Sequence, residues 1–361
     1  MSNVKKPQRK FMSALFAVLI VFQGKANFRN MSRYSSRSEK CFSRWYRRSF
    51  DFAQFNTALL LHESPDPEQF IAAIDASFLS KSGKKTQGLA WYYNGAAGEA
   101  QRGLETSLIS VIGLSLNTAY ALDARQTLDE AERTRVDLYA EHLVSNAAAL
   151  KELGVKHIAA DAYYSKTKFV SAVTQAGFEL VGKLRIDANM KWLYEGDYAG
   201  KGRPRKFDGK VDIDVDLARF EKVESLAEGV EAYSAVLYST HLKRNIRVVL
   251  LRQTLGQKTG RALLFSTDLE LKVMTLIRYY KARFQIEFLF RDAKQYTGLT
   301  HCQSLRKEAI HTQTNASLSA LNLLKLEDRQ EKQTESETVI SIASWKRKKF
   351  NQHLMNRVFS M

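Results

Sequence analysis

Apolar residues form short continuous blocks in the first half of the chain and follow helical spacing elsewhere. The block Phe70–Ile74, which is followed by Asp75, predicts a buried strand. Blocks at 88–95, 108–116, 155–164 and 178–186 predict four more strands. Segments 129–153 and 166–176 contain neither Pro nor Gly, which predicts helices. Strands that alternate with helices in this order indicate an α/β fold built on a mixed sheet.

Residues 190–267 interrupt this alternation, because the segment is polar at its start and strand-like later, at 233–239 and 246–251. We interpret it as a β-rich insertion. The next segment, 268–298, has no Pro and no Gly before Gly298, so it predicts one uninterrupted helix that Asp268 caps and Gly298 ends. Residues beyond about 328 are charged and weakly patterned, which is typical of an appended tail.

The chain has 361 residues, whereas a domain with a single hydrophobic core rarely exceeds about 250–300 residues. We therefore expect several regions. The predicted regions are a basic, mainly helical region at 1–66, the first part of an α/β domain at 67–189, the β-rich insertion at 190–267, the C-terminal part of the α/β domain at 268–327 and a basic tail at 328–361.

Two features of the sequence bear on location. A basic segment precedes the apolar run from Phe11 to Phe22, which resembles a secretory signal but is too short to cross a bilayer. No small-residue cleavage motif follows closely, so a buried helix is favoured and a signal peptide stays the alternative. Cys41 and Cys302 are too few for a disulfide framework, which favours a reducing, cytoplasmic setting without a membrane partner.

The charge balance predicts a polyanionic partner. Lys and Arg number 55 against 38 Asp and Glu, a net charge of +17. Residues 1–50 hold twelve of the cations and one acid, so this segment alone carries 12 − 1 = +11. Arg44, Arg47 and Arg48 alternate there with aromatic residues, a combination that suits DNA phosphates and sugars. A solvated helix face is the alternative interpretation.

A second basic motif lies in the predicted insertion. Residues 201–206 read Lys-Gly-Arg-Pro-Arg-Lys, and an extended Arg-Pro segment of this kind fits a narrow DNA minor groove. Arg203 and Arg205 would make the contacts, and a flexible basic loop is the alternative. Trp192 and Tyr194 could stack on an unpaired base, although a core position is the simpler interpretation.

Carboxylates follow two of the predicted strands. Asp75 and Asp161 lie near the carboxyl ends of apolar segments, the edge at which open α/β sheets place their active sites. Asp187 follows the next strand and is a rival with similar local surroundings. Position alone does not separate a catalytic acid from one that solvates a turn.

A third acid joins them if the segment 268–298 is one helix. At about 100° per residue, Tyr280, Arg283, Glu287 and Lys294 fall within one stripe of about 60°, whereas Asp292 lies about 120° from Tyr280. Three hard oxygen donors can hold two Mg²⁺ ions that serve phosphodiester chemistry. A surface ladder of i,i+4 ion pairs is the alternative, and each pair stabilises a helix by only about 0.3–0.5 kcal/mol.

Three segments resemble the DDE transposases of bacterial insertion sequences, in the branch with a Tyr-Arg-Glu-Lys signature. These are Ile74–Phe78 with Lys81–Lys84, Ala160–Lys166, and the spacing Tyr280-x2-Arg283-x3-Glu287-x6-Lys294. The likeness extends over about residues 7–327. It implies a ribonuclease H-like catalytic domain with a β-rich insertion before the helix that carries the Glu.

The resemblance also implies roles and partners. Asp75, Asp161 and Glu287 would be the catalytic, metal-binding triad, with two Mg²⁺ ions that Mn²⁺ can replace. Tyr280, Arg283 and Lys294 would contact DNA. The expected partners are double-stranded DNA, as terminal inverted repeats and target, and a second copy of the chain on that DNA, in the bacterial nucleoid. A nuclease of this fold without strand transfer and a catalytically inactive DNA-binding descendant stay open as alternatives.

Overall fold

The computed structural model describes residues 4–63, 70–128, 130, 132–198, 200, 202–227, 229–255, 258–331 and 340–359. Eleven α-helices are found in these ranges. In chain order they are α1 Lys6–Val21, α2 Phe28–Arg33, α3 Glu39–Trp45, α4 Phe52–Glu63, α5 Arg135–Ser145, α6 Ala147–Glu152, α7 Thr167–Gln175, α8 Val273–Ala282, α9 Gln285–Asp292, α10 Lys307–Glu331 and α11 Ile342–Phe359.

Twelve strands occur in the same described ranges. In chain order they are β1 Phe70–Ser80, β2 Ala90–Asn94, β3 Glu99–Gly113, β4 Thr118–Thr127, β5 His157–Ala159, β6 Glu179–Leu184, β7 Met190–Leu193, β8 Phe207–Lys210, β9 Glu221–Ala227, β10 Val230–Ser239, β11 Arg244–Leu255 and β12 Lys258–Ser266. The chain forms two compact units, 1–135 with 145–154 and 284–361, and 136–144 with 155–283.

In the first unit β3 is the central strand. It pairs antiparallel with β1, β2 and β4. The β3–β4 register shifts between Ile109 and Ser110, which leaves Leu122 as an extra residue in β4. Side-chain amides complete the backbone hydrogen bonding at this bulge, because Asn315 and Asn322 of α10 each pair with both the N–H and the C=O of one β4 residue, Ala124 and Ala121 respectively.

The N-terminal helices share a core with α10. Phe11, Leu15 and Leu19 of α1 are buried together with Phe42 of α3 and Ala316 of α10. The apolar run at 11–22 is therefore part of a buried helix, as the pattern predicted. None of the helices in the described ranges combines the length and the apolar character that a membrane crossing requires.

In the second unit β5 and β6 are parallel, and β12, β11 and β10 continue the sheet antiparallel from β6. β7 and β9 both pair with β10, and β8 pairs with β7. Helix α8 packs against β6 and β12. Segment 190–267 is thus largely β-structure within its described residues.

Two sequence-based expectations about helices were wrong. Segment 268–298 is not one helix, because α8 ends at Ala282, Arg283 and Phe284 form a turn, and α9 gives way to a π-helix at Ala293–Thr297. In that turn the N–H of Glu287 donates to the C=O of Phe284, three residues back, which tightens the backbone. In segment 129–153 the described residues form α5 and α6, which meet at Asn146, and Asp129 lies outside the described residues.

Candidate active site

Asp75 lies in the middle of β1 and is half-buried. Its Oδ1 accepts a hydrogen bond of 2.8 Å from the N–H of Ala76. The expectation that the strand ends near Asp75 was wrong, because pairing with β3 continues to Ser80 opposite Gly103. What ends there is the fully buried part of the strand, so Asp75 marks the change from core to accessible surface.

Glu287 lies in the first turn of α9. The helix packs against β1 and β4, and Ile286, Leu289 and Phe290 are its buried contacts. Glu287 itself is half-buried, between the buried positions and the exposed face. The first unit thus carries two of the three predicted acids, on a strand and a helix that pack together.

Lys294 extends from the π-helix toward the strand of Asp75. Its Nζ donates a hydrogen bond of 2.8 Å to the Oγ of Ser77, and burial lowers the pKa of the Lys294 ammonium. Side chains alternate along a strand, so Asp75 and Ser77 lie on the same face of β1, with Cα atoms about 6.8 Å apart. The structure therefore brings Lys294 to the strand face that carries Asp75.

Ser77 is the residue that the sequence interpretation did not assign. It lies within the motif Ile74–Phe78, two positions after Asp75, and that period-two spacing is the signal by which it could have been found. A π-helix is rare, and it commonly marks a functional site in an α-helical segment.

In the second unit Asp161 follows β5 and caps a short 3₁₀ helix, Ala162–Tyr164. Its Oδ1 accepts a hydrogen bond of 2.8 Å from the N–H of Tyr163. The Nζ of Lys166 lies 4.0 Å from the centre of the Tyr163 ring. Because β5 is only three residues long, Asp161 lies just beyond the end of the strand and not within the strand predicted at 155–164.

Asp187, the alternative to Asp161, forms an ion pair with Arg185. Arg185 donates to both of its carboxylate oxygens, at 2.8 Å each. This hydrogen bonding lowers the pKa of the exposed Asp187 carboxyl. A carboxylate whose two oxygens both accept hydrogen bonds from a guanidinium is a poorer metal ligand than one without such a partner. This comparison favours Asp161 over Asp187 as the second acid.

The turn at Arg283 and Phe284 divides the four signature residues between two elements of the chain. Tyr280 and Arg283 belong to the second unit, and Glu287 and Lys294 belong to the first. The Arg283 guanidinium carbon lies 5.6 Å from the centre of the Tyr280 ring, and the Tyr280 side chain packs partly against the core around Leu276. The ring therefore restricts the guanidinium.

The basic residues of the N-terminal region lie at the surface. Arg44, in the last turn of α3, and Arg47 and Arg48, just after it, are exposed. The guanidinium carbon of Arg48 lies 4.4 Å from the centre of the Trp45 ring. Their charges are thus available to solvent or to a polyanion.

In the second basic motif, at 201–206, Arg205 contacts other residues of the protein. Arg203 and Arg205 are exposed, and Lys201 lies outside the described residues. Arg205 pairs with Asp208 at 2.7 Å and lies 4.9 Å from the centre of the Tyr194 ring. Trp192 is buried and its Nε1 donates to Asp216 at 2.9 Å, so the simpler interpretation of Trp192, a core position, is confirmed.

Asp75, Asp161 and Glu287 each offer carboxylate oxygens, the donors that hard divalent cations prefer. No group of three or more His, Cys, Asp or Glu side chains in the described ranges is arranged to hold an ion. Metal binding by these three acids stays a prediction.

The sequence matches the family model of the transposase DDE domain over residues 67–323, and the chain belongs to this family. The structure is a mixed α/β fold with helices in its N-terminal region, which is the fold class that the sequence predicted. No curated protein matches the chain.

Two solved structures show distant similarity. The Mos1 mariner paired-end complex with Mn is 12% identical, with a TM-score of 0.20, and the match covers 43% of this chain and 53% of that one. The Mos1 transposase paired-end complex with the left transposon end is 14% identical, with a TM-score of 0.19, over 49% and 60% of the two chains. The chain thus matches little more than half the length of these transposases.

Proposed function

We propose that the protein is a metal-dependent DNA transposase of a bacterial insertion sequence, in the Tyr-Arg-Glu-Lys branch. It binds the terminal inverted repeats of its element, hydrolyses phosphodiester bonds there and joins the freed 3′-hydroxyl ends to target DNA. The observation that carries the proposal most directly is the hydrogen bond from Lys294 to Ser77, together with the packing of α9 on β1. Both connect the signature segment to the strand of Asp75.

Asp75, Asp161 and Glu287 would hold two Mg²⁺ ions, which Mn²⁺ can replace. Bound divalent ions supply an activated water or 3′-hydroxyl and stabilise the leaving oxygen of the phosphodiester. The negative charge of the three carboxylates is needed for this role, because neutral amides keep their shape but bind such ions weakly.

The basic residues of the site would act on the DNA. Lys294 is held by Ser77, so its ammonium is fixed on the Asp75 face and meets the phosphate there. Arg283 presents two parallel donors that match two phosphate oxygens, and the Tyr280 ring limits its movement.

End recognition is assigned to residues 1–66, where Arg44, Arg47 and Arg48 contact phosphates. Arg203 and Arg205 add contacts from the insertion at 190–267. We propose that the catalytic domain consists of residues 67–189 and 268–327, that residues 328–361 are a basic tail, and that a homodimer acts on DNA in the bacterial cytoplasm. The boundary at 66–67 lies outside the described residues.

The test is an assay of labelled element ends with a target plasmid, with and without Mg²⁺. The expected products are cut ends and ends joined to the plasmid, both dependent on the metal. Cut ends without joined products would show a nuclease, and specific binding without cleavage would show a DNA-binding protein. Either result would overturn the proposal.

A further inference from the structure

Two aromatic side chains stand in solvent on the short strand β2. Trp91 and Tyr93 are 66% and 61% exposed, whereas Tyr92 between them is buried. Residues two apart on a strand point to the same face, so the two rings lie side by side with Cα atoms about 6.8 Å apart. Large rings on a protein surface are usually covered by a partner when they occur together.

The strand register places these rings on the face of Asp75. Trp91 pairs with Arg102 on β3, and Asp75 pairs with Leu108 on the same strand. Paired residues of antiparallel strands share a face, and Arg102 and Leu108 are six residues apart, an even number. Trp91, Arg102 and Asp75 therefore lie on one face of the β1–β3–β2 sheet.

The charge on this face suits nucleic acid. In the paired segments Ala90–Asn94 and Glu99–Gly103, the face of Trp91 carries Arg102 and no acid. The acid of these segments, Glu99, pairs with Asn94 and so points to the opposite face. The exposed Lys84 and Lys85 precede β2 along the chain and add positive charge.

Hydrogen bonds and an aromatic contact fix the position of strand β2. The Tyr92 hydroxyl donates a hydrogen bond of 2.8 Å to the C=O of Thr127. Arg135 lies 4.7 Å from the centre of the Tyr92 ring and donates to the C=O of Trp91 at 2.7 Å. A partner thus meets two rings whose backbone is already fixed, which reduces the entropy that binding costs.

We propose that Trp91, Tyr93 and Arg102 form a stacking surface for unpaired bases of the element's own end DNA. Aromatic rings on a flat sheet bind bases by their π-faces, and those faces are accessible only where the strand is unpaired. The surface lies about 22 Å from Asp75, from six residues along β3 and two strand spacings. That distance equals about six to seven nucleotides of duplex DNA at 3.4 Å each, and an unpaired strand, which extends further per nucleotide, spans it with fewer.

This inference rests on the proposed function, and its test separates the two. Binding is measured by fluorescence anisotropy of the full chain in a chelator, so no cleavage is involved. The DNA is an element end in two forms, fully paired, or forked so that eight nucleotides nearest the cut are unpaired. An element end that binds but is never cut in Mg²⁺ would refute transposase activity and leave the stacking surface intact.

The variant Trp91→Ala/Tyr93→Ala is compared with Gln101→Ala, which changes the same hairpin on the opposite face. The double variant should bind the forked end at least about 30-fold more weakly and the paired end unchanged, since each of the two stacked bases contributes about 1–3 kcal/mol. Gln101→Ala should match the wild type on both. Trp91→Phe/Tyr93→Phe should restore forked binding, which shows that the rings and not the fold were lost.

Three results would overturn the proposal. The first is equal weakening on forked and paired ends, which indicates a duplex contact. The second is unchanged DNA affinity in the double variant with an unchanged mass in light scattering. The third is unchanged DNA affinity with a lower mass in light scattering, which would show that the rings cover a protein interface.

Discussion

The Nζ of Lys294 lies 2.8 Å from the Oγ of Ser77, on the strand face that also carries Asp75. The two residues are far apart in sequence, and the contact joins the π-helix after α9 to β1. Because Lys294 is half-buried, the acceptor that Ser77 provides compensates part of its desolvation.

Ser77→Ala should therefore lower the cleavage rate about 5- to 20-fold while leaving affinity for element ends unchanged. The variant removes one hydrogen bond to a charged group and frees the ammonium to move, and a 5- to 20-fold loss of rate is about 1–2 kcal/mol of transition-state stabilisation. Single-turnover cleavage of pre-bound ends is the measurement. Ser80→Ala, an exposed position at the end of the same strand, is the matched control. Equal rates for Ser77→Ala and the wild type would show that the contact does not position Lys294.

Asp187→Asn should retain cleavage within about twofold of the wild type. Both carboxylate oxygens of Asp187 accept from Arg185, so this acid acts as an ion-pair partner at the surface, where such pairs contribute little to stability. The measurement is Mg²⁺-dependent cleavage of labelled ends beside Asp161→Asn. Loss of activity in Asp187→Asn with activity retained in Asp161→Asn would reverse the assignment of the second acid.

Lys346 predicts a pH dependence of stability. Its Nζ donates to the C=O groups of Phe22 at 3.2 Å and Tyr296 at 2.6 Å, and burial lowers its pKa from 10.5 to about 7. Between these two values the unfolded chain binds more protons than the folded chain, so this residue makes stability rise with pH.

Relative to Lys346→Met, the wild type should gain melting temperature between pH 7 and pH 9.5. Lys348→Met changes an exposed neighbour on the same helix and serves as the control, because its difference from the wild type should stay constant. Thermal unfolding followed by circular dichroism measures both. A constant difference for Lys346→Met as well would mean that Lys346 is charged in the folded protein throughout this range.

Arg44→Ala/Arg47→Ala/Arg48→Ala should weaken binding of element ends and reduce its dependence on salt. Each phosphate contact contributes about 0.9 to the slope of log K against log salt, so the slope should fall by up to about 2.7. The slope is measured by fluorescence anisotropy titrations at salt concentrations between about 50 and 200 mM. Lys222→Ala, at an exposed cation that pairs with Glu231, should leave the slope unchanged. An unaltered slope in the triple variant would remove these residues from the interface.

Much of the fold follows from local sequence pattern. The apolar block at 70–74, the helix at 166–176 and the strands near 179–184 and 246–251 all appear where the pattern predicted them. β4 was missed. Its segment Thr118–Thr127 mixes small, charged and polar residues, and amides of Asn56, Asn315 and Asn322 hydrogen-bond to its backbone at a bulge. Those partners are distant in sequence, so no local pattern predicts them.

Local sequence pattern also predicts only part of the candidate active site. The acids and the signature spacing are visible in the sequence, but the break between α8 and α9 contains neither Gly nor Pro. It depends on a backbone turn at Arg283 and Phe284, which periodicity does not predict. The role of Ser77 as acceptor for Lys294 likewise requires the packing of α9 against β1.

The most direct measurement is Mg²⁺-dependent cleavage of labelled element ends by Asp75→Asn, Asp161→Asn and Glu287→Gln, with end binding measured in parallel. Each substitution keeps the side-chain shape and removes the charge that holds the metal. We predict that every variant binds the ends as the wild type does and cleaves at least about 10³-fold more slowly, a loss of about 4 kcal/mol of transition-state stabilisation. Cleavage at the wild-type rate by any one of the three would contradict the assignment of that acid to the triad.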